Sequence, residues 1–130
     1  MSHIPQLKDA ERLDLNGPIV YVASSNRLKS VGYLELPPGT EAARTHRPVE
    51  ERLTQAEGES LVTTFDESGN PVLNQMSRGS ELRIPAGVEH IHANPFGRVS
   101  ITKWVFEGDV TEIIGGLRRE AKRITEEKKA

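Results

Sequence analysis

There is no cysteine anywhere in the 130 residues. That excludes disulfides, thiolate metal ligands and a cysteine nucleophile at once, and it fits a reducing compartment. Nor does charge of one sign dominate: 17 Lys and Arg stand against 19 Asp and Glu, interspersed along the chain. With no basic stripe and no aromatic platform set into one, nucleic acid is not an expected partner. No apolar run approaches the length that crosses a bilayer, and Met1 to Gln6 lack the apolar core of a signal peptide. The expectation is a cytoplasmic, soluble protein with no membrane partner. A phosphate loop, a Gly-x-Ser-x-Gly elbow and a His-Glu-x-x-His zinc motif are also missing, as is any repeat at a solenoid period. A chain of this length makes one domain with a real core, not two.

What is present is a series of short β-branched and apolar runs separated by turn residues. After a lead-in over residues 1–17, closed by Asn16-Gly17-Pro18, strands are predicted at Ile19 to Ala23, Ser30 to Leu36 and Arg52 to Ala56. Leu61 to Phe65 and Val72 to Met76 flank a turn-rich loop and read as a hairpin. Leu82 to Ile84 and Val99 to Phe106 follow. Residues 18–108 therefore predict an all-β sandwich or barrel. The tail, 109–130, changes period: Val110, Ile113, Ile114, Leu117, Ala121 and Ile124 recur at helical spacing, with Asp109 or Thr111 able to cap the start. Gly115-Gly116 interrupts that pattern, so a firm helix is expected only from about Leu117. It would pack across the outside of a sheet or serve a dimer contact.

Half of the four histidines lie in one stretch, Gly79 to Asn94. His90 and His92 share a face if that segment is extended. Gly79, Pro85, Gly87, His90 and Asn94 are spaced as glycine, five residues, Pro-x-Gly, two residues, His, three residues, Asn. This resembles the second motif of the cupin superfamily. The first motif is half present: Gly39, Glu51 and Gly58 stand at its glycine and glutamate positions, but its two histidine positions hold Thr45 and Arg47, with His46 between them.

The resemblance covers roughly residues 30 to 107 and implies a cupin-type jelly-roll β-barrel with a C-terminal helix and a pocket inside. Members usually hold a divalent metal by three histidines and the glutamate, and only Glu51 and His90 carry over. A guanidinium at Arg47 offers Glu51 a counter-charge in place of the metal and would hold its carboxyl down. The main expectation is thus an acid/base enzyme without a tightly held metal, using His90, Glu51 and Arg47. The resemblance points to isomerase, epimerase, dehydratase or lyase chemistry on an oxygen-rich metabolite such as a sugar or keto acid. Thr45, Gln55, His92, Tyr33 and Trp104 are the candidate ligand-binding residues. Two alternatives stand beside it. One is a pocket that only binds. The other is a divalent-metal enzyme, dioxygenase- or isomerase-like, in which a bulge at Pro48 turns His46 inward to join Glu51, His90 and His92. A homodimer is the expected assembly, since an uncovered sheet edge needs protection.

Overall fold

A computed structural model describes residues 4–129. The lead-in begins outside the described residues and then makes a 3-10 turn at Pro5–Lys8. Ten strands follow: β1 (Glu11–Asp14), β2 (Ile19–Ser25), β3 (Ser30–Leu36), β4 (Thr40–Glu41), β5 (Glu51–Glu57), β6 (Ser60–Phe65), β7 (Pro71–Met76), β8 (Glu81–Ile84), β9 (His90–Asn94) and β10 (Ser100–Phe106). They form a six-stranded sheet in the order β1-β2-β3-β10-β5-β8 and a four-stranded sheet in the order β4-β9-β6-β7. Every pairing is antiparallel. The sheets face one another, and helix α1 (Thr111–Lys129) closes the chain. Among the described residues no helix is long and apolar enough to cross a membrane.

Period-two alternation decides what enters the space between the sheets. On β3, Leu34 and Leu36 point in; on β5, Glu51, Leu53 and Gln55; on β10, Trp104 and Phe106. Each fully buried aliphatic side chain contributes about 1.5–3 kcal/mol. Strand β9 presents His90, His92 and Asn94 to the same interior. Asn94 uses its whole amide: it donates to the Leu36 and Arg98 carbonyls and accepts from the Phe96 N–H. These bonds tie β9 to β3 and to the turn that follows it.

Two strands escape the sequence pattern. In β1 only Leu13 is buried, so the segment has no alternation to read. Pairing with β2, with Leu13 opposite Val20, holds it as a strand. The two-residue β4 likewise exists through its pairing with β9.

The helix corrects a second expectation. It starts at Thr111 and runs unbroken through Gly115-Gly116. Asp109 initiates it by accepting from the Thr111 N–H at 3.0 Å and the Thr111 hydroxyl at 2.6 Å. Burial of Val110, Ile114 and Ala121, with Ile113 and Leu117 packed beside them, outweighs the cost of two glycines. On the outer side Arg118 clamps Glu11 of β1 through both carboxylate oxygens, and Arg123 pairs with Glu120 and Glu127. A Cβ at Gly116 would meet only Arg119 at 3.7 Å, an ordinary contact. Gly116→Ala is therefore expected to stabilise the protein by about 0.5–1 kcal/mol. The thermal midpoint should rise by about 2–4 °C, measured by circular dichroism.

Candidate functional site

The turn at Pro85-Ala86-Gly87 delivers β9 to the interior. Gly87 sits at φ +80°, the left-handed conformation that glycine adopts without strain. Its N–H donates to the Arg47 carbonyl at 2.8 Å, and the Val88 N–H returns to Pro85 at 3.2 Å. His90 then exchanges both backbone hydrogen bonds with Thr45, at 2.8 and 3.0 Å. This places the first-motif loop directly beside the second-motif strand.

The His90 ring is oriented by its Nδ1, which lies 3.0 Å from the Val88 carbonyl. A carbonyl can only accept, so Nδ1 carries a proton and Nε2 is the free position of a neutral ring. That Nε2 stands 3.1 Å from Glu51 Oε1. His92 reaches the same carboxylate from the other side, its Nε2 3.8 Å from Oε2. The two imidazoles meet edge to face, centroids 5.1 Å apart. Glu51, His90 and His92 are 5%, 1% and 7% exposed, so water does not surround the cluster. One ligating atom from each lies within 4.8 Å of the others.

Two of these atoms, Glu51 Oε1 and His90 Nε2, are enclosed and have no hydrogen-bond partner among the described residues. They lie 3.1 Å apart, and with the proton of a neutral ring on Nδ1 neither has one to donate. A carboxylate oxygen and a ring lone pair at this distance repel unless a positive charge stands with them. Burial alone would raise the Glu51 carboxyl, but the close contacts and charges of His90 and His92 outweigh it and hold the group at about 2. Burial lowers His90, and the Glu51 carboxylate and the Val88 carbonyl more than reverse this. Without a metal the cluster thus favours an ionised carboxylate beside an imidazole whose hold on a proton is strengthened. A divalent cation can take the proton's place: two imidazoles and a carboxylate suit iron, manganese, nickel or zinc, with positions left open. The His90–Val88 contact is the outer support that metal-bound histidines typically have.

The remaining predicted residues divide. Thr45, Arg47, Glu51, His92 and Trp104 line one cavity of about 570 Å³ between the sheets. Arg47 makes no ion pair within 4.0 Å among the described residues, so the expected contact with Glu51 is not formed. The two imidazoles stand closest to the carboxylate oxygens, at 3.1 and 3.8 Å. Burial lowers the Arg47 pKa, and the more distant Glu51 charge partly offsets this. His46 is exposed, on the opposite side from its two neighbours, and does not join the ligating cluster. Its place there is taken by His92.

Gln55 does not line the cavity. It is 1% exposed at the far end of the sandwich, donating to Glu57 O and Ser100 Oγ and accepting from Ser60 and Thr102. Tyr33 lies on the opposite face of β3 from Leu34 and Leu36, in register with Tyr21 and Lys103, and is also outside the cavity. Residues missed from sequence are those of α1: Ile113 and Leu117 form part of the cavity wall. Their periodicity was readable, but it does not say which surface a helix covers.

Neither a protein-family model nor a curated protein sequence matches the chain. Solved structures do. One is oxalate decarboxylase from Bacillus subtilis at pH 4.6, at 19% identity and TM-score 0.72, over 79% of this chain and 28% of that one. Another structure of the same enzyme, described for its Mn(II) centers, matches at 18% identity and TM-score 0.72, over 83% of this chain and 32% of that one. This protein therefore spans less than a third of the length of those chains. The likeness shows the fold: the chain has a cupin fold, two antiparallel sheets with one C-terminal helix.

Proposed function

We propose that the protein is a divalent-metal cupin, with Glu51, His90 and His92 as the protein ligands and the adjoining cavity as the seat of a small organic molecule. The observation that carries this reading is the pair of enclosed, unpartnered atoms, Glu51 Oε1 and His90 Nε2, 3.1 Å apart. A bound ion would supply Lewis-acid polarisation of an oxygen on that molecule, the common currency of isomerase- and oxygenase-type chemistry. The chain's own residues bind and orient. Glu51 and His92 border the cavity, Arg47 offers a cation to an anionic oxygen, and Thr45 adds a hydroxyl. The Mn(II) centers of a similarly folded enzyme lend support, without carrying its substrate across.

The metal-free acid/base reading is less well supported. His90 does not border the cavity, so its proton has no direct path to a bound molecule. Protein purified without chelator, or dialysed against Mn(II), Fe(II) or Zn(II) and then desalted, is expected to retain about one divalent ion per chain. Elemental analysis measures this directly. A chain that stays empty after each treatment sinks the proposal.

A further inference from the structure

The cavity is unlike the oxygen-rich pocket that a sugar would need. Apolar side chains, Leu34, Trp104, Phe106, Ile113 and Leu117 among them, make most of its wall, and Thr45, Arg47, Glu51 and His92 add polar groups where β5, β9 and the first-motif loop meet. Each sugar hydroxyl turned against the apolar wall would lose water without gaining a partner, at about 1–3 kcal/mol apiece. A volume near 570 Å³ lies in the range that houses a drug-sized molecule. It is far larger than a compact dianion requires.

One wall is aromatic, its two rings tilted 46° to one another. The Trp104 ring lies over Gly32, where a Cβ would come within 2.2 Å of the indole, and Phe106 continues the surface at 5.6 Å. Among the charges at the cavity, the exposed Glu41 forms no ion pair within 4.0 Å with the described residues. Arg44 is taken by Glu89, Glu120 is taken by Arg123, and Glu51 is taken by its two imidazoles. Arg47 lines the cavity with no carboxylate within 4.0 Å among the described residues.

We infer that the cavity selects an organic anion with an apolar, ring-bearing body, its carboxylate or enolate held by Arg47 beside Glu51 and His92 and its body laid against Trp104 and the inner face of α1. A guanidinium matches such a group by paired N–H donors, and the match gains strength where water is excluded. The inference rests on the cavity being the working site proposed above, but not on the metal.

Trp104 is the single tryptophan of the chain, so its fluorescence reports on this wall alone. Three probes test the inference: 4-phenylbutyrate, the neutral 4-phenylbutanamide, and gluconate, an anion without an apolar body. Titrations are run on chelator-treated and on metal-loaded protein. In both, 4-phenylbutyrate is expected to saturate and to bind at least about tenfold tighter than the amide or gluconate. In the chelator-treated protein Arg47→Met should make acid and amide equal, and Arg47→Lys should keep part of the preference. Failure of 4-phenylbutyrate to saturate, an equal affinity for acid and amide in the wild type, or gluconate binding as tightly overturns the inference. Preference for 4-phenylbutyrate in a chain that never loads metal supports it while removing the metal reading. Metal loading with gluconate preferred does the reverse.

Discussion

Glu51→Gln is expected to lower divalent-metal affinity by at least about a hundredfold, more than the loss usually caused by removing an outer-shell partner of a metal ligand. The amide keeps the shape but removes the charge that balances a cation in a site screened from water. His46→Ala, an exposed position outside the cluster, should leave affinity unchanged. Titration calorimetry with Mn(II) or Zn(II) compares the two variants with the wild type. Equal affinity for Glu51→Gln and the wild type would remove Glu51 from the ligand set.

The same variant has an acid-stability signature in metal-free protein. The folded-state Glu51 value of about 2 lies below the ordinary 4.5, so its contribution is fully present above 4.5 and is lost as pH falls towards 2. The wild type should therefore lose stability across that window more steeply than Glu51→Gln. The imidazolium side runs the other way. His90 is raised above its ordinary 6.5, so its contribution is present below 6.5 and is lost as pH rises through the higher folded value.

Gln55→Leu is expected to be the most damaging single change to the fold itself. The side chain occupies a nearly sealed position and makes four hydrogen bonds, at 2.7 to 2.9 Å. Leucine fills similar space but leaves the Ser60 and Thr102 hydroxyls without their acceptor and Ser100 Oγ without its donor. At about 1–3 kcal/mol for each buried group so orphaned, the loss is about 3–5 kcal/mol. The thermal midpoint should fall by about 10–20 °C. Below that midpoint, metal and 4-phenylbutyrate binding should be intact, because Gln55 touches neither the cluster nor the cavity. A mild thermal effect with lost binding would return Gln55 to the site.

Gln55 also shows where reading the sequence reaches its limit. Alternation from Glu51 correctly turned it inward, but a polar inward residue serves a ligand or a sealed network with equal grammar. What decides is whether Ser60 of β6 and Ser100 and Thr102 of β10 converge on it. That is long-range register, and no local pattern carries it. The Gly79 to Asn94 stretch was legible because its constraints are local: a left-handed glycine, a Pro-x-Gly turn and period-two side chains. Thr45 and Arg47 were legible as substitutions, though not in their consequence. With histidines gone from those positions, His92 on the neighbouring strand supplies the second imidazole, and Arg47 is left facing the cavity rather than the carboxylate. The helix gave its apolar positions to the periodicity and withheld its target, which turned out to be a wall of the cavity.

That helix enters no sheet and follows the last strand, yet Ile113 and Leu117 shape the space a bound molecule occupies. The cluster of Glu51, His90 and His92 is carried entirely by β5 and β9. The three clustered side chains and this part of the cavity wall thus lie on separate lengths of chain. Change within that helix can reshape the cavity while the cluster of Glu51, His90 and His92 is left as it is.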